Sequence, residues 1–279
     1  NILSVPHQVF FIVLPTVSLI GNLAIVYVTV RSRLLRNPCH ILIALVSLGE
    51  FLHMLEQYFM VVSYNLFENH QMRQDLCGHW QMLPMMGLYF TSTLLLNIAV
   101  DRLISTQDFY TSLIKTHYTL YLSVHIALGL IVTVSLGAVA YSGTSSDLYV
   151  LCTVMAPLFN RNSTPVLLTM CAIHTLILVC YVVLFILLRK KRLSQENSKQ
   201  IFRSVAIISL TMDFNKLNIL MFAGILVNLI CATNFFVYYS ISKVYRREFD
   251  EHLMIGLFKN ALSSKYNSST HVWARARWS

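Results

Sequence analysis

Of the 279 residues, 56% are hydrophobic and only 12% are charged, and the mean hydropathy is +0.61. A soluble domain carries about 25% charged residues, so the composition excludes a soluble protein; the length accommodates about seven spans of ~20 residues with short loops. The net charge of +9 raises a nucleic-acid partner, which the placement of the charges then removes.

The first expected span covers residues 7–30, with Asn22, after Gly21, as its one strongly polar interior residue. No cleavable signal pattern is visible, so this span is expected to act as its own insertion signal. Arg31, Arg33 and Arg36 follow. Asn37-Pro38 then opens the second span, residues 39–64, since proline is tolerated in a first helical turn. Glu50, His53 and Gln57 lie on one face of that span at i, i+3 and i+7, with Glu56 between them. A polar loop, 65–75, leads to Cys77 and to the third span, 80–105, which ends on Ala99-Val100-Asp101-Arg102-Leu103. A loop at 106–117 precedes the fourth span, 118–140; a polar loop at 141–163 contains Cys152 and precedes the fifth, 164–188. Residues 201–212 are apolar but rise only ~18 Å as a helix. The turn Asp213-Phe214-Asn215-Lys216 separates them from a full apolar stretch, 217–241.

Orientation fixes the number of crossings. Segments 31–36, 102–117, 189–203 and the tail from 243 hold 18 of the 21 Lys and Arg residues; Arg73, Arg161 and Lys216 are the others. The positive-inside rule puts the four basic segments in the cytoplasm, and this works only if 201–216 crosses. The expected fold is therefore an all-α membrane protein: a seven-transmembrane helix bundle, N-terminus extracellular, with an unusually short sixth helix. The basic charge becomes a topology and lipid-headgroup signal, with no nucleic acid. Tyr245, Phe249 and Leu253 recur every four residues, which predicts a short amphipathic eighth helix on the inner membrane surface. Residues 1–253 form the membrane domain, and 254–279 a mobile cytoplasmic tail.

Several residues carry two readings. Cys77 and Cys152 are the only cysteines in the outer loops of this topology, as a disulfide or as two free thiols. Asp101-Arg102 is a charge-paired switch or a pair of snorkelling interfacial charges. Asn234 and Tyr238, at i and i+4, share a face or belong to an aromatic interface belt. Asn22 and Glu50, near mid-bilayer depth, form a helix–helix hydrogen bond or a hydrated, ion-binding pocket. Asn162-Ser163-Thr164 is a glycosylation sequon on the outer side. HExxH, GxSxG and Walker motifs are missing, and His53 with Glu56 lacks a second histidine at metal spacing; no enzyme activity, metal or cofactor is expected.

Together these residues resemble a rhodopsin-type G-protein-coupled receptor, from the N-terminus to about Leu253. Gly21-Asn22, the acid Glu50, Cys77 with Cys152, Asp101-Arg102-Leu103 and Asn234 to Tyr238, with Tyr245 beyond, carry the resemblance. More narrowly, Leu35-Arg36-Asn37-Pro38-Cys39-His40, Asp101-Arg102-Leu103-Ile104-Ser105, Ile201-Phe202-Arg203-Ser204 and Asn234-Phe235-Phe236-Val237-Tyr238-Tyr239 are similar to strings of the nematode serpentine chemoreceptors of the Srsx class. Glu50, Leu103 and Phe235 stand where the wider family has aspartate, tyrosine and proline.

The resemblance implies a plasma-membrane chemosensory receptor that binds a small extracellular ligand and activates a heterotrimeric G protein. Asp101 would hold Arg102 at rest; on activation Arg102 would swing toward the G protein and Tyr238 would move inward to support it. Gln57, Tyr58, Gln81, Met85 and Leu88 are the ligand-pocket candidates, a lining suited to a small, weakly polar ligand. Pro84 and Met85 stand at the level where amine receptors carry an aspartate, which argues against an amine. The alternatives are a signalling-incompetent or truncated receptor-like protein, favoured by the short sixth span, and a transporter or channel.

Overall fold

The order of the helices follows the apolar runs. The computed structural model describes residues 5–159, 163–190 and 218–253. They form α1 (Val5–Arg31), α2 (Pro38–Leu66), α3 (Gln74–Ile104), α4 (Tyr110–Ser142), α5 (Ser163–Lys190), α6 (Asn218–Ile241) and α7 (Lys243–His252). Five of these, α1 to α5, are long and apolar enough to cross a membrane. The expected sixth crossing at 201–216, Asn162 of the sequon and the tail at 254–279 lie outside the described residues.

Helix α2 starts as its sequence dictates. Asn37 caps it, its side chain accepting the His40 backbone N–H at 2.9 Å, and Pro38 occupies the first turn. Burial separates inner from outer helices. In their apolar stretches 61% of α2 and of α3 is buried, against 28% of α1 and of α4 and 22% of α5. The central pair is therefore α2 and α3. The outer helices point Val9, Val13, Ile20, Leu128, Ile131, Leu168 and Ile186 outward, as helices facing lipid tails do.

Two glycines let backbones come close. A Cβ on Gly87 of α3 would stand 2.6 Å from the Gly49 carbonyl oxygen and 2.8 Å from the His53 nitrogen of α2. A Cβ on Gly21 of α1 would stand 2.9 Å from the Phe235 Cβ of α6. Bare glycine is what permits both crossings.

Three features depart from the sequence reading. Helix α4 starts at Tyr110, inside the expected loop, and takes up a non-helical conformation at His117 (φ −128°, ψ 35°). The polar loops contain a two-stranded antiparallel ribbon, β1 (Met72–Arg73) with β2 (Tyr149–Val150), Met72 opposite Val150. The apolar face of α7 is used on the bundle. Tyr245 and Phe249 are buried in one core with Ile25, Val28, Leu35, Leu42 and Ile98, with Leu253 packed against it. Close aromatic neighbours on α6 draw this face inward: Phe235 lies 4.8 Å from Phe249, and Tyr238 lies 5.2 Å from Tyr245, ring centre to ring centre.

Candidate functional site

Both ends of α3 carry polar groups that the bundle buries. At its C-terminal end Asp101 is fully buried. Its Oδ1 accepts two phenol O–H bonds, from Tyr110 and Tyr121 of α4, each at 2.9 Å. Its Oδ2 is buried without a hydrogen-bond partner. The early start of α4 puts Tyr110 within reach, and Tyr121 stands three helical turns further along, its ring 4.6 Å from His125. Asn97 of α3 donates to the His125 carbonyl at 2.8 Å, fixing α4 against α3 one turn above Asp101.

Arg102, the neighbour of Asp101, turns to the other side and donates to the Cys39 Sγ at the start of α2. The ion pairs among the described residues are Arg73–Asp75, Arg247–Glu248 and, with a charged imidazole, His252–Glu248. Asp101 and Arg102 do not form one. Adjacent residues on a helix point about 100° apart, so one chain position serves two neighbours: the acid faces α4 and the base faces α2.

Deeper in the bundle the Asn234 amide of α6 donates to Glu50 Oε2 of α2 at 2.6 Å. Asn22 of α1 lies beside the same carboxyl and donates to Ser18 at 3.1 Å. Three helices thus meet at one acid. Tyr238, one turn beyond Asn234, goes elsewhere: its ring lies against Tyr245, whose hydroxyl is 3.3 Å from the Thr29 hydroxyl. Burial pushes the Tyr245 hydroxyl above the usual phenol range, so it stays protonated.

At the N-terminal end of α3, Cys77 and Cys152 form a disulfide, with Cα atoms 5.4 Å apart. The free-thiol reading of this pair is therefore ruled out. Gln74 ties the loop down further, donating to the Ala156 carbonyl at 2.8 Å and accepting the Ser145 N–H at 2.9 Å. Under this strap Glu56 Oε2 accepts the Val154 N–H at 3.1 Å, and Gln57 donates to Glu56 Oε1 at 2.5 Å. Gln81 donates to the Cys152 carbonyl at 3.2 Å.

The five ligand-pocket candidates separate in the structure. Gln57 and Gln81 both reach Glu56, Gln57 at its carboxylate and Gln81 at its backbone carbonyl at 3.5 Å. Tyr58 instead faces α1, its hydroxyl 2.7 Å from that of Thr16. Met85 is buried with Tyr89, Leu136, Val154 and Leu158, and Leu88 packs against that cluster. The sequence reading missed Tyr110, Tyr121 and Cys39 as partners of the Asp101-Arg102 pair. It also left Glu56 out of the ligand-pocket candidates. A carboxylate one position from Gln57 was a visible signal; the partner of Asp101 was not, because it depends on where α4 begins. Among the described residues no group of three or more His, Cys, Asp or Glu residues is placed to hold a metal ion.

Residues 15–212, well over half of the chain, match the family described as the serpentine type 7TM GPCR chemoreceptor Srsx. Among curated proteins no match is found. The five membrane-length helices, the disulfide and this match make the chain a multi-pass membrane protein that belongs to the Srsx family of serpentine chemoreceptors.

Proposed function

We propose that this protein is a chemosensory receptor that binds a small extracellular ligand and activates a heterotrimeric G protein. Membership of the Srsx family carries the reading. The chain would cross the plasma membrane seven times with its N-terminus outside, 201–216 forming a compressed sixth crossing, α6 the seventh, and α7 the short helix at the inner surface. The strapped end of α3 would then face outward, with Asn162 available for glycosylation and a ligand pocket beneath the loop. The Asp101-Arg102 end would face the G protein.

In this reading the resting state holds Asp101 by Tyr110 and Tyr121 and parks Arg102 against Cys39. Glu50, Asn22 and Asn234 join α1, α2 and α6 between the two ends. A ligand that binds another arrangement of the helices more tightly shifts the equilibrium toward it, releasing Arg102. Tyr238 would then move from Tyr245 toward the freed guanidinium.

A ligand panel applied to cells expressing the full chain, with a G-protein readout, tests the proposal. Arg102→Ala is expected to abolish the ligand-dependent signal while surface expression persists. An unchanged signal in that variant would remove Arg102 from the mechanism.

A further inference from the structure

The strapped end of α3 concentrates hydrogen-bond acceptors. His53, Glu56, Gln57 and Gln81 are all buried. Gln57 directs its amide N–H toward Glu56, and Gln81 directs its own toward the Cys152 carbonyl. Each amide is thereby oriented, and its carbonyl oxygen is left without a donor. Gln57 Oε1, Gln81 Oε1 and His53 Nδ1 are buried without a hydrogen-bond partner. Glu56 sits beside them, and among the described residues its carboxylate is engaged by neutral N–H groups, from Gln57 and Val154. None of the ion pairs among the described residues involves Glu56.

Buried acceptors without donors are unfavourable, and a buried carboxylate without a countercharge more so. The complementary ligand supplies both N–H donors and positive charge. A transition-metal ion fits less well: only His53 and Glu56 here are of the His, Cys, Asp or Glu type, and no group of three or more such residues is placed to hold a metal among the described residues. Beside the cluster lies an apolar wall. Val154, whose N–H holds Glu56, packs with Met85, Tyr89 and Leu136, and the Tyr89 hydroxyl is a further buried group without a partner.

We infer that His53, Glu56, Gln57 and Gln81 form a binding site for a small organic cation bearing N–H donors, such as an alkylammonium or a guanidinium, with Glu56 as its countercharge. The inference rests on the ligand-sensing reading above and names the ligand class for that pocket. It reverses the expectation of a weakly polar ligand. The carboxylate that α3 lacks at Pro84 and Met85 comes from α2.

The test is the thermal unfolding midpoint of the full chain in detergent, titrated with propylammonium and methylguanidinium. Tetramethylammonium, which has no N–H, and propanol, which has no charge, are the controls. The N–H cations are expected to raise the midpoint saturably and the controls to leave it unmoved. Glu56→Gln retains an oxygen for the Val154 N–H and is expected to weaken the apparent affinity about tenfold or more. Gln57→Leu is the second variant, with a smaller loss in the same direction. No saturable rise, a rise matched by propanol, or a rise that both variants leave unchanged would overturn the inference. The signalling assay separates it from the receptor reading. Cation-dependent stabilisation without G-protein activation supports the site and removes the signalling role. Activation by another ligand, independent of Glu56 and without stabilisation by the cations, does the reverse.

Discussion

Tyr121→Phe removes one hydroxyl and keeps the ring against His125, so it isolates one bond to Asp101. In the structure Asp101 Oδ1 accepts from Tyr110 and Tyr121 at 2.9 Å each, and Oδ2 has no partner. A hydrogen bond to a charged acceptor is worth about 1.5–3 kcal/mol. The two phenols share one oxygen and are only partly buried, which places each near the lower end, about 1.5 kcal/mol. If the bonds belong to the resting state alone, losing one shifts the ratio of active to resting receptor about tenfold. The double variant, with Tyr110→Phe, shifts it by about 3 kcal/mol or ~10²-fold, unless the two bonds compensate for one another. The assay is ligand-free G-protein activation, normalised to receptor at the cell surface. In an Asp101→Asn background the tyrosine substitutions are expected to lose most of their effect, since the charged acceptor is gone. Unchanged basal activity in the well-expressed double variant would refute the reasoning, for it would mean that the phenols hold Asp101 equally in both states.

Two further predictions concern the frame. The bridge joins cysteines 75 residues apart, and on the chain-entropy account it contributes about 4.5 kcal/mol; Cys152→Ala is expected to lower the unfolding midpoint and surface expression, and a variant as stable as the parent would show that the strap is held by Gln74 and the ribbon alone. Gly87→Ala places a methyl group against the α2 backbone and is expected to destabilise by about 1–3 kcal/mol. Gly137→Ala meets nothing closer than Met86 Cγ at 3.9 Å and should be neutral or slightly stabilising, so equal effects in the two variants would dismiss the close α2–α3 crossing.

Much of this protein was legible in its sequence. Long apolar runs bounded by arginine clusters or Asn-Pro define helices wherever they are placed, because a chain in hydrocarbon must satisfy its backbone internally. Helices α1, α2 and α5 accordingly begin and end near the expected positions, and α3 ends where expected but begins at Gln74, nearly two turns early and inside the expected loop. The strings around Asn37 and Asp101 resemble those of the serpentine chemoreceptors, and the family match over 15–212 spans both; the string at Asn234 lies beyond the matched residues. Cys77 and Cys152 stood out once the loops were assigned to one side, as a bridge or as two free thiols, and the structure forms the bridge.

What the tertiary structure decided is which neighbour each polar group meets. Local periodicity places Asp101 and Arg102 side by side, yet the helix turn sends the acid to Tyr110 and Tyr121 and the base to Cys39. It places Asn234 and Tyr238 on one face, yet α2 takes the amide and α7 takes the ring. Glu56 acquires its meaning only when the loop beyond Cys152 folds over it and supplies the Val154 N–H. Spacing along a helix fixes the direction in which a side chain leaves it; the crossing of helices far apart in sequence, brought together at bare glycines and one disulfide, fixes what stands there to receive it.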